Sequence, residues 1–386
     1  MELSEKTPLV EKHSVDSTKP HVKALTILFT TIIIATACLI YIFTNSTSRS
    51  YYVVLSSDLN LYYLVHVPFA IQAWKNLGVN TLLMMTLEPN ETTGPAVDEI
   101  LAFSKKLGAE IVTITNNSIS TGRLAQSSRA FAAGTKFSHS LDPKSTIFIT
   151  SDVDFFPSNL SHHIPDHTKD MLFYDFKCCT ELKWKEVVFN MYGMITIAMT
   201  LSRWREIMDL PSKEFVDGSS IEHSILKTFD NSLNSHDVFW RWFLDQRLFS
   251  YKLHLWKTKN PEEFKKFSQT SRSGRRLDRK TWPEDNFLRN MSNVWDYYEA
   301  AHVTPGIFMD SVWEKNLVFY EKIFTSDQLE ELTQYRNDVV KHINVTETLR
   351  RHYHPEENNR YWRKTFKLNG MLNDGRKASK HAKLTK

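Results

Sequence analysis

Two carboxylates one residue apart, Asp152 and Asp154, close the short apolar run Thr146-Ile147-Phe148-Ile149-Thr150. An aromatic pair, Phe155 and Phe156, and the chain-turning Pro157 follow them. Hard oxygen donors fixed at the carboxyl edge of a buried strand suit Mg²⁺ or Mn²⁺ clamped to a diphosphate. An Asp-x-Asp arises about once by chance in a chain of ordinary composition and this length. Here it occurs once, and at a predicted strand end, which is where such a site is useful.

The elements that must position these carboxylates are legible upstream. Tyr51 to Ser57 is apolar and β-branched and reads as a strand, while Leu61 to Leu77 has helical periodicity and stops at Gly78. Thr81 to Leu87 is a second strand, and Pro95 to Leu107 a helix closed by Gly108. Ala109 to Thr115, Arg123 to Phe137 and Thr146 to Thr150 continue as strand, helix and strand. Such alternation implies right-handed βαβ units and a mostly parallel sheet covered on both faces, with ligands bound beyond the carboxyl ends of the strands. Ser56, Ser57 and Asp58 end the first strand, so they share an edge with Asp152 and Asp154.

The second half is less regular. Met171 to Phe176 and Val187 to Thr200 read as strands, Ser202 to Met208 as a short helix, Ser235 to Phe249 as a helix and Tyr251 to Trp256 as a strand. Lys257 to Lys280 is basic and poor in apolar residues, and is expected to be an exposed, mobile loop. Thr325 to Ile343 is an amphipathic helix, and Lys377 to Lys386 a basic tail.

The chain has 386 residues, 41% of them apolar and 24% charged, enough for one large domain or two ordinary ones. Its net charge of +4, without basic runs interleaved with aromatics, gives no footprint for nucleic acid. Residues 24–43 carry no charge, and a helix of that length spans about 30 Å, the thickness of a bilayer core. Lys6, Lys12, Lys19 and Lys23 precede it and Arg49 alone follows closely, so a retained signal anchor is expected, with the N-terminus cytoplasmic and the bulk luminal. The expected division is a tail over 1–23, an anchor over 24–43, a stem over 44–50, a catalytic domain over 51–355 with halves 51–157 and 158–355, and a disordered tail over 356–386. Asn45, Asn90, Asn116, Asn159, Asn290 and Asn344 each precede a Ser or Thr by two positions, an excess of glycosylation acceptors over the two or three expected by chance at about average composition. Three cysteines, Cys38 and the adjacent Cys178 and Cys179, build no disulfide framework.

Taken together these features resemble the type II glycosyltransferases of the GT-A fold, over roughly Tyr51 to Trp313. The resemblance is sharpest in Gly122-Arg123-Leu124-Ala125-Gln126-Ser127-Ser128-Arg129-Ala130-Phe131-Ala132-Ala133-Gly134, followed by Ile147 to Asp154. It implies a Rossmann-like α/β catalytic domain behind one transmembrane helix, in the Golgi or endoplasmic reticulum membrane. It implies Mn²⁺ or Mg²⁺ as cofactor, a nucleotide-sugar donor, UDP-linked above all, and a glycan, glycoprotein or glycolipid acceptor. Asp154 would be the direct metal ligand, and Asp152 would hold ribose or metal-bound water. Arg123, Gln126 and Arg129 would reach nucleotide or diphosphate, and Ser56, Ser57 and Asp58 the base and ribose. Leu244-Asp245-Gln246 resembles an Asp-Gln segment near the transferred sugar, making Asp245 a catalytic candidate and Asp237 a second one. His302, in Ala301-His302-Val303-Thr304-Pro305-Gly306, resembles the late histidine that completes the metal shell.

No acidic base of an inverting signature is recognisable, with Glu222 and Asp217 the nearest substitutes, and the Asp-Gln segment leans toward retention. Two other classes share features. A haloacid-dehalogenase-type phosphatase also carries Asp-x-Asp after a strand, but at its first strand and with a later acidic pair, whereas no Asp-Asp occurs here. A glycan-binding or partner-modulating relative would keep the fold without turnover. Because the carboxylates are expected at a surface pocket, Asp154→Ala is expected to abolish transfer and spare the fold.

Overall fold

In a computed structural model of the chain, the described residues are 28–36, 49–116, 118–174, 181–211, 214–229, 243–271 and 274–353. They belong to two compact units, Met1–Ser48 and Arg49–Lys386. In the first, residues 28–36 are helical, and Leu28, Phe29, Ile32, Ile33 and Ile34 are exposed. The remainder of the apolar span 24–43 lies outside the described residues, as do the tails 1–23 and 356–386, Asn45, Asp237, Cys178 and Cys179. Among the described residues no helix is long and apolar enough to cross a membrane.

The second unit begins with the βα alternation that the periodicity predicts. The chain runs β1 (Ser50–Ser57), α1 (Leu61–Leu64), α2 (Val67–Asn76), β2 (Asn80–Leu87), α3 (Pro95–Lys106), β3 (Glu110–Thr115), α4 (Thr121–Phe131), α5 (Lys136–His139) and β4 (Thr146–Thr150). β1, β2, β3 and β4 are joined by parallel pairing, β1 lying between β2 and β4. The chain therefore steps outward from β1 to β3 and returns to the far side of β1, so the carboxyl ends of β1 and β4 flank a topological switch point.

Alternation along each strand explains the burial on both faces. Val53, Leu55, Ile147 and Ile149 pack on one side of the sheet, and Val54 and Phe148 on the other. One face is covered by α2 and α3, whose buried positions include Phe69, Trp74, Ile100 and Phe103. The other is covered by α4, where Ala125, Ser127, Ser128 and Ala130 are buried and let the helix approach closely.

Two helical runs read as continuous are broken. Leu61–Leu77 divides between α1 and α2 because Pro68 starts a new helix rather than continuing one. Arg123–Phe137 ends its α-helix at Phe131, then makes a 3₁₀ turn over Ala132–Gly134 before Thr135 caps α5.

After β4 the chain forms β5 (Phe155–Pro157), β6 (Met171–Tyr174), a hairpin of β7 (Glu181–Trp184) and β8 (Val187–Asn190), and β9 (Ile197–Thr200). The single strand expected over Val187–Thr200 is thus two strands in different sheets. Helices α6 (Leu201–Met208), α7 (Gly218–Phe229), α8 (Leu244–Lys259) and α9 (Pro261–Phe267) follow, then β10 (Ser268–Ser271) and β11 (Arg276–Asp278). The expected strand Tyr251–Trp256 lies inside α8, whose buried Leu244, Leu248, Phe249, Leu253 and Trp256 follow helical spacing. The described residues of Lys257–Lys280 form the end of α8, then α9, β10 and β11, rather than an exposed loop. Phe264 packs near Phe173, Arg203 lies over Phe267, and β10 pairs in parallel with β6 at the sheet edge. A few aromatic anchors and a strand edge suffice where composition alone predicts disorder.

α10 (Asp285–Arg289), β12 (Ala300–His302), α11 (Asp310–Ile323), α12 (Ser326–Val340) and α13 (Val345–Tyr353) complete the unit. The expected helix over Thr325–Ile343 is α12, started by a capping box between Thr325 and Gln328. The main sheet has order β10-β6-β9-β4-β1-β2-β3, and only the pairings of β9 are antiparallel, so the expected mostly parallel α/β sheet is present. A small second sheet, β11-β12-β5, stands beyond the end of β4.

Candidate active site

The small sheet explains how residues distant in sequence meet. β5 leaves the Asp-x-Asp loop directly and pairs antiparallel with β12, placing His302 opposite Phe155. β11 pairs with β12 on its other side, placing Asp278 opposite His302 and delivering Arg279 one residue later. The Val303 amide donates to the Asp154 carbonyl at 3.0 Å, locking the two loops together.

Asp152, Asp154 and His302 consequently converge, with one ligand atom of each lying within 4.8 Å of the others. His302 Nε2 is 3.2 Å from Asp154 Oδ1, and its Nδ1 faces Asp278 Oδ2 at 3.9 Å. Arginines engage both carboxylates as well. Arg279 donates Nη1 to Asp154 Oδ2, and Arg129 donates Nη1 to Asp152 Oδ1 at 2.5 Å. Asp154 thus keeps Oδ1 on the side of His302 while Arg279 orients its Oδ2, and Arg129 fixes one oxygen of Asp152. Two carboxylate oxygens and an imidazole nitrogen form a donor set that fits Mn²⁺ or Mg²⁺.

Asp154 is only 3% exposed. Burial favours its neutral acid, but His302 and Arg279 outweigh that and hold the carboxyl below the usual carboxylate range. It is therefore part of a buried ion cluster and not a free surface acid, which corrects the premise of a surface pocket: Asp154→Ala would strand the Arg279 charge.

Asp245, at the first turn of α8, is 1% exposed. Its Oδ2 accepts from Arg129 Nε at 3.2 Å and from Nη2 at 2.6 Å, so Arg129 bridges Asp245 and Asp152. Burial pushes the Asp245 carboxyl up against the pull of Arg129, while the two carboxylates keep the guanidinium charged. As placed, Asp245 is a buried counter-ion of Arg129.

The base-and-ribose candidates sit at the end of β1. Asp58 accepts from the Asn60 amide at 3.1 Å and from Thr121 Oγ1 at 3.2 Å, and burial raises its carboxyl pKa. Ser57 Oγ donates to the Asp58 carbonyl, and Ser56 is half-buried. Arg123 and Gln126, on the first turns of α4, are also half-buried. Asp217 caps α7 through Ser220, and Glu222 accepts from Asn116, so both acids have structural partners. Asn90, Asn159, Asn290 and Asn344 are exposed, whereas Asn116 is buried, its side-chain Oδ1 accepting from the Ser118 and Ile119 amides.

Sequence reasoning missed two parts of this arrangement. Arg279 lay in the basic segment read as a loop; its signal was Leu277, an isolated apolar residue between Arg276 and Asp278 that marks a short strand. The other part is a buried chain behind the Asp-x-Asp loop. His66 Nδ1 lies 2.8 Å from the Val153 carbonyl, which can only accept, so the proton is on Nδ1 and Nε2 accepts from the Tyr320 hydroxyl. Burial lowers the His66 pKa to about 4, keeping the ring neutral. Asn316 donates to the Tyr320 hydroxyl at 3.4 Å and to the Thr304 carbonyl at 2.7 Å, so the chain ties the loop of Val153 to the one that follows His302.

No family model matches the sequence, and no curated protein does so significantly. Among solved structures, the chain is similar to the galactosyltransferase LgtC in complex with donor and acceptor sugar analogues, at 9% identity and a TM-score of 0.39 over 74% of this chain and 99% of that one. It is also similar to the glycosyltransferase GlyE of Streptococcus pneumoniae, at 10% identity and 0.32 over 76% and 63%. A third likeness is to the bifunctional glycosyltransferase WbbM, at 10% and 0.32 over 75% and 52%. Likenesses this slight say nothing about what the present chain binds.

Proposed function

We propose that this chain is a metal-dependent glycosyltransferase of the GT-A kind, moving a sugar from a nucleotide-sugar donor, UDP-linked in the first instance, to a hydroxyl of a glycan, glycoprotein or glycolipid. The observation that carries this reading is the convergence of Asp152, Asp154 and His302 beyond the switch point between β1 and β4. Those three residues would hold Mn²⁺ or Mg²⁺, which when bound supplies positive charge against the leaving nucleoside diphosphate. Arg129 orients Asp152 and is itself fixed by Asp245. His66 fixes the Val153 carbonyl between the two carboxylates, so the loop is set before substrate arrives. Ser56, Ser57 and Asp58, with Arg123 and Gln126 across the crevice, are assigned to the base, ribose and phosphates.

The same proposal places the protein in the Golgi or endoplasmic reticulum membrane as a single-pass type II protein, supported by the uncharged span 24–43 and the lysines ahead of it. A glycan-binding relative without turnover is the second reading, favoured by the arginines that already engage both carboxylates. The two separate on one assay. The full-length chain incubated with Mn²⁺ and a panel of nucleotide sugars is expected to release nucleoside diphosphate, and EDTA to stop it. Glycan binding without any release selects the second reading.

A further inference from the structure

Resting on the glycosyltransferase reading, we propose that Arg279 makes cation and diphosphate binding interdependent: it holds Asp154 until a cation arrives, and then turns its guanidinium to the donor's diphosphate.

The charges of the site argue for this. Carboxylates of Asp152, Asp154, Asp245 and Asp278 face guanidiniums of Arg129, Arg276 and Arg279, which leaves one net negative charge among these groups. A divalent cation added there inverts the balance to net positive in a largely buried place, where an uncompensated charge is costly. A diphosphate is the anion that restores it. The three arginines are not equivalent in this. Arg129 is enclosed between two carboxylates, with its side chain 8% exposed. Arg276 is 25% exposed, but its partner at 2.9 Å is Asp278, which is not one of the three residues that converge on the cation site. Arg279 has its ion pair with Asp154 and keeps 21% of its side chain exposed, so it has room to move toward the crevice. It follows β11 at the start of a 3₁₀ turn capped by Asp278, an anchored backbone from which a long side chain swings.

A cation next to Asp154 repels the guanidinium beside it, and a planar guanidinium grips a diphosphate in two places. Arg279 therefore opposes the cation when it comes alone and favours the pair. Because coupling between sites is reciprocal, each ligand raises the affinity of the other.

The test measures Mn²⁺ binding to the full-length chain in detergent micelles by the electron paramagnetic resonance of free Mn²⁺, alone and with UDP or GDP. Thermal melting checks that each variant is folded. Arg279→Gln is expected to bind Mn²⁺ alone several-fold more tightly, while its Mn²⁺-loaded form binds the preferred nucleoside diphosphate about tenfold or more weakly, a usual size for such coupling. Arg279→Lys keeps the charge but not the fork, so it is expected to retain the opposition to Mn²⁺ alone and to lose diphosphate affinity. Wild-type coupling that persists unchanged in Arg279→Gln overturns the assignment of Arg279 and leaves the glycosyltransferase reading standing. Equal weakening of Mn²⁺ and diphosphate binding overturns it too, reducing Arg279 to a support for Asp154. If Arg279→Gln does not fold, an Arg279→Lys chain with wild-type diphosphate affinity overturns it as well. A wild-type chain that binds neither Mn²⁺ nor either nucleoside diphosphate overturns both proposals.

Discussion

His163 shows how a single buried group can set a pH limit on the whole fold. It has no exposed surface, packs against Trp74, Phe155 and Tyr174, and neither ring nitrogen has a hydrogen-bond partner among the described residues. Burial lowers its pKa to about 3 from an ordinary 6.5, so the folded state keeps the ring neutral while the unfolded chain takes up a proton below 6.5. Stability is therefore present at neutral pH and lost as pH falls from 6.5 toward 3, by about 2 kcal/mol between pH 7 and pH 5 from this residue alone. His163→Phe, which suits the aromatic surroundings, is expected to remove that part of the loss in denaturant unfolding measured at the two pH values. An unchanged pH dependence would show that His163 is not buried neutral. At this scale the sequence disclosed Asp152 and Asp154 because their spacing is local. It disclosed neither His66 nor Arg279, because each acts on a partner that only tertiary pairing supplies: Val153 for one, Asp154 for the other.

At the scale of elements, close approach between backbones decides which positions tolerate a side chain. Gly218 opens α7 against the end of β3, and a Cβ there would lie 2.0 Å from the Thr115 carbonyl oxygen, which belongs to a strand and cannot yield. Gly218→Ala is expected to destabilise by roughly 1–3 kcal/mol. Gly94→Ala, with nothing within 4 Å and an extended backbone, is expected to stay within about 0.5 kcal/mol of wild type. Urea midpoints compare the two, and equal values would contradict the packing of α7 on β3. The elements before β4 were legible because each strand and helix repeats its own period for long enough to register. Beyond β4 that failed where the window was short. Tyr251-Lys-Leu-His-Leu-Trp256 alternates like a strand for six residues, yet Leu244, Leu248 and Phe249 ahead of it complete a helical face. The edge strand β10 carries Ser-Gln-Thr-Ser and has no apolar signal at all; its pairing with β6 makes it a strand.

For the molecule as a whole, the proposed luminal placement predicts a pattern of modification that the fold makes specific. Asn90, Asn159, Asn290 and Asn344 present their side chains to solvent, whereas Asn116 is 5% exposed and donates to Glu222 at 3.0 Å. In a chain made in the secretory pathway, glycans are expected on members of the exposed set and none on Asn116. Glycopeptide mapping checks this, and a fully occupied Asn116 would contradict the burial described. Which acceptors are open was not legible in the sequence, because the Asn-x-Ser/Thr pattern is local and burial is not.

The central claim is that Asp152, Asp154 and His302 together hold one divalent cation, and titration of the full-length chain with Mn²⁺ in the presence of a nucleoside diphosphate tests it most directly. Asp154→Asn is the informative variant, since Asp154→Ala also leaves a cavity beside the stranded Arg279. The account predicts one ion per wild-type chain, and affinity lowered about tenfold or more in both Asp154→Asn and His302→Gln, for loss of a ligand. Undiminished Mn²⁺ binding in Asp154→Asn, or no ion bound to the wild type, would contradict it.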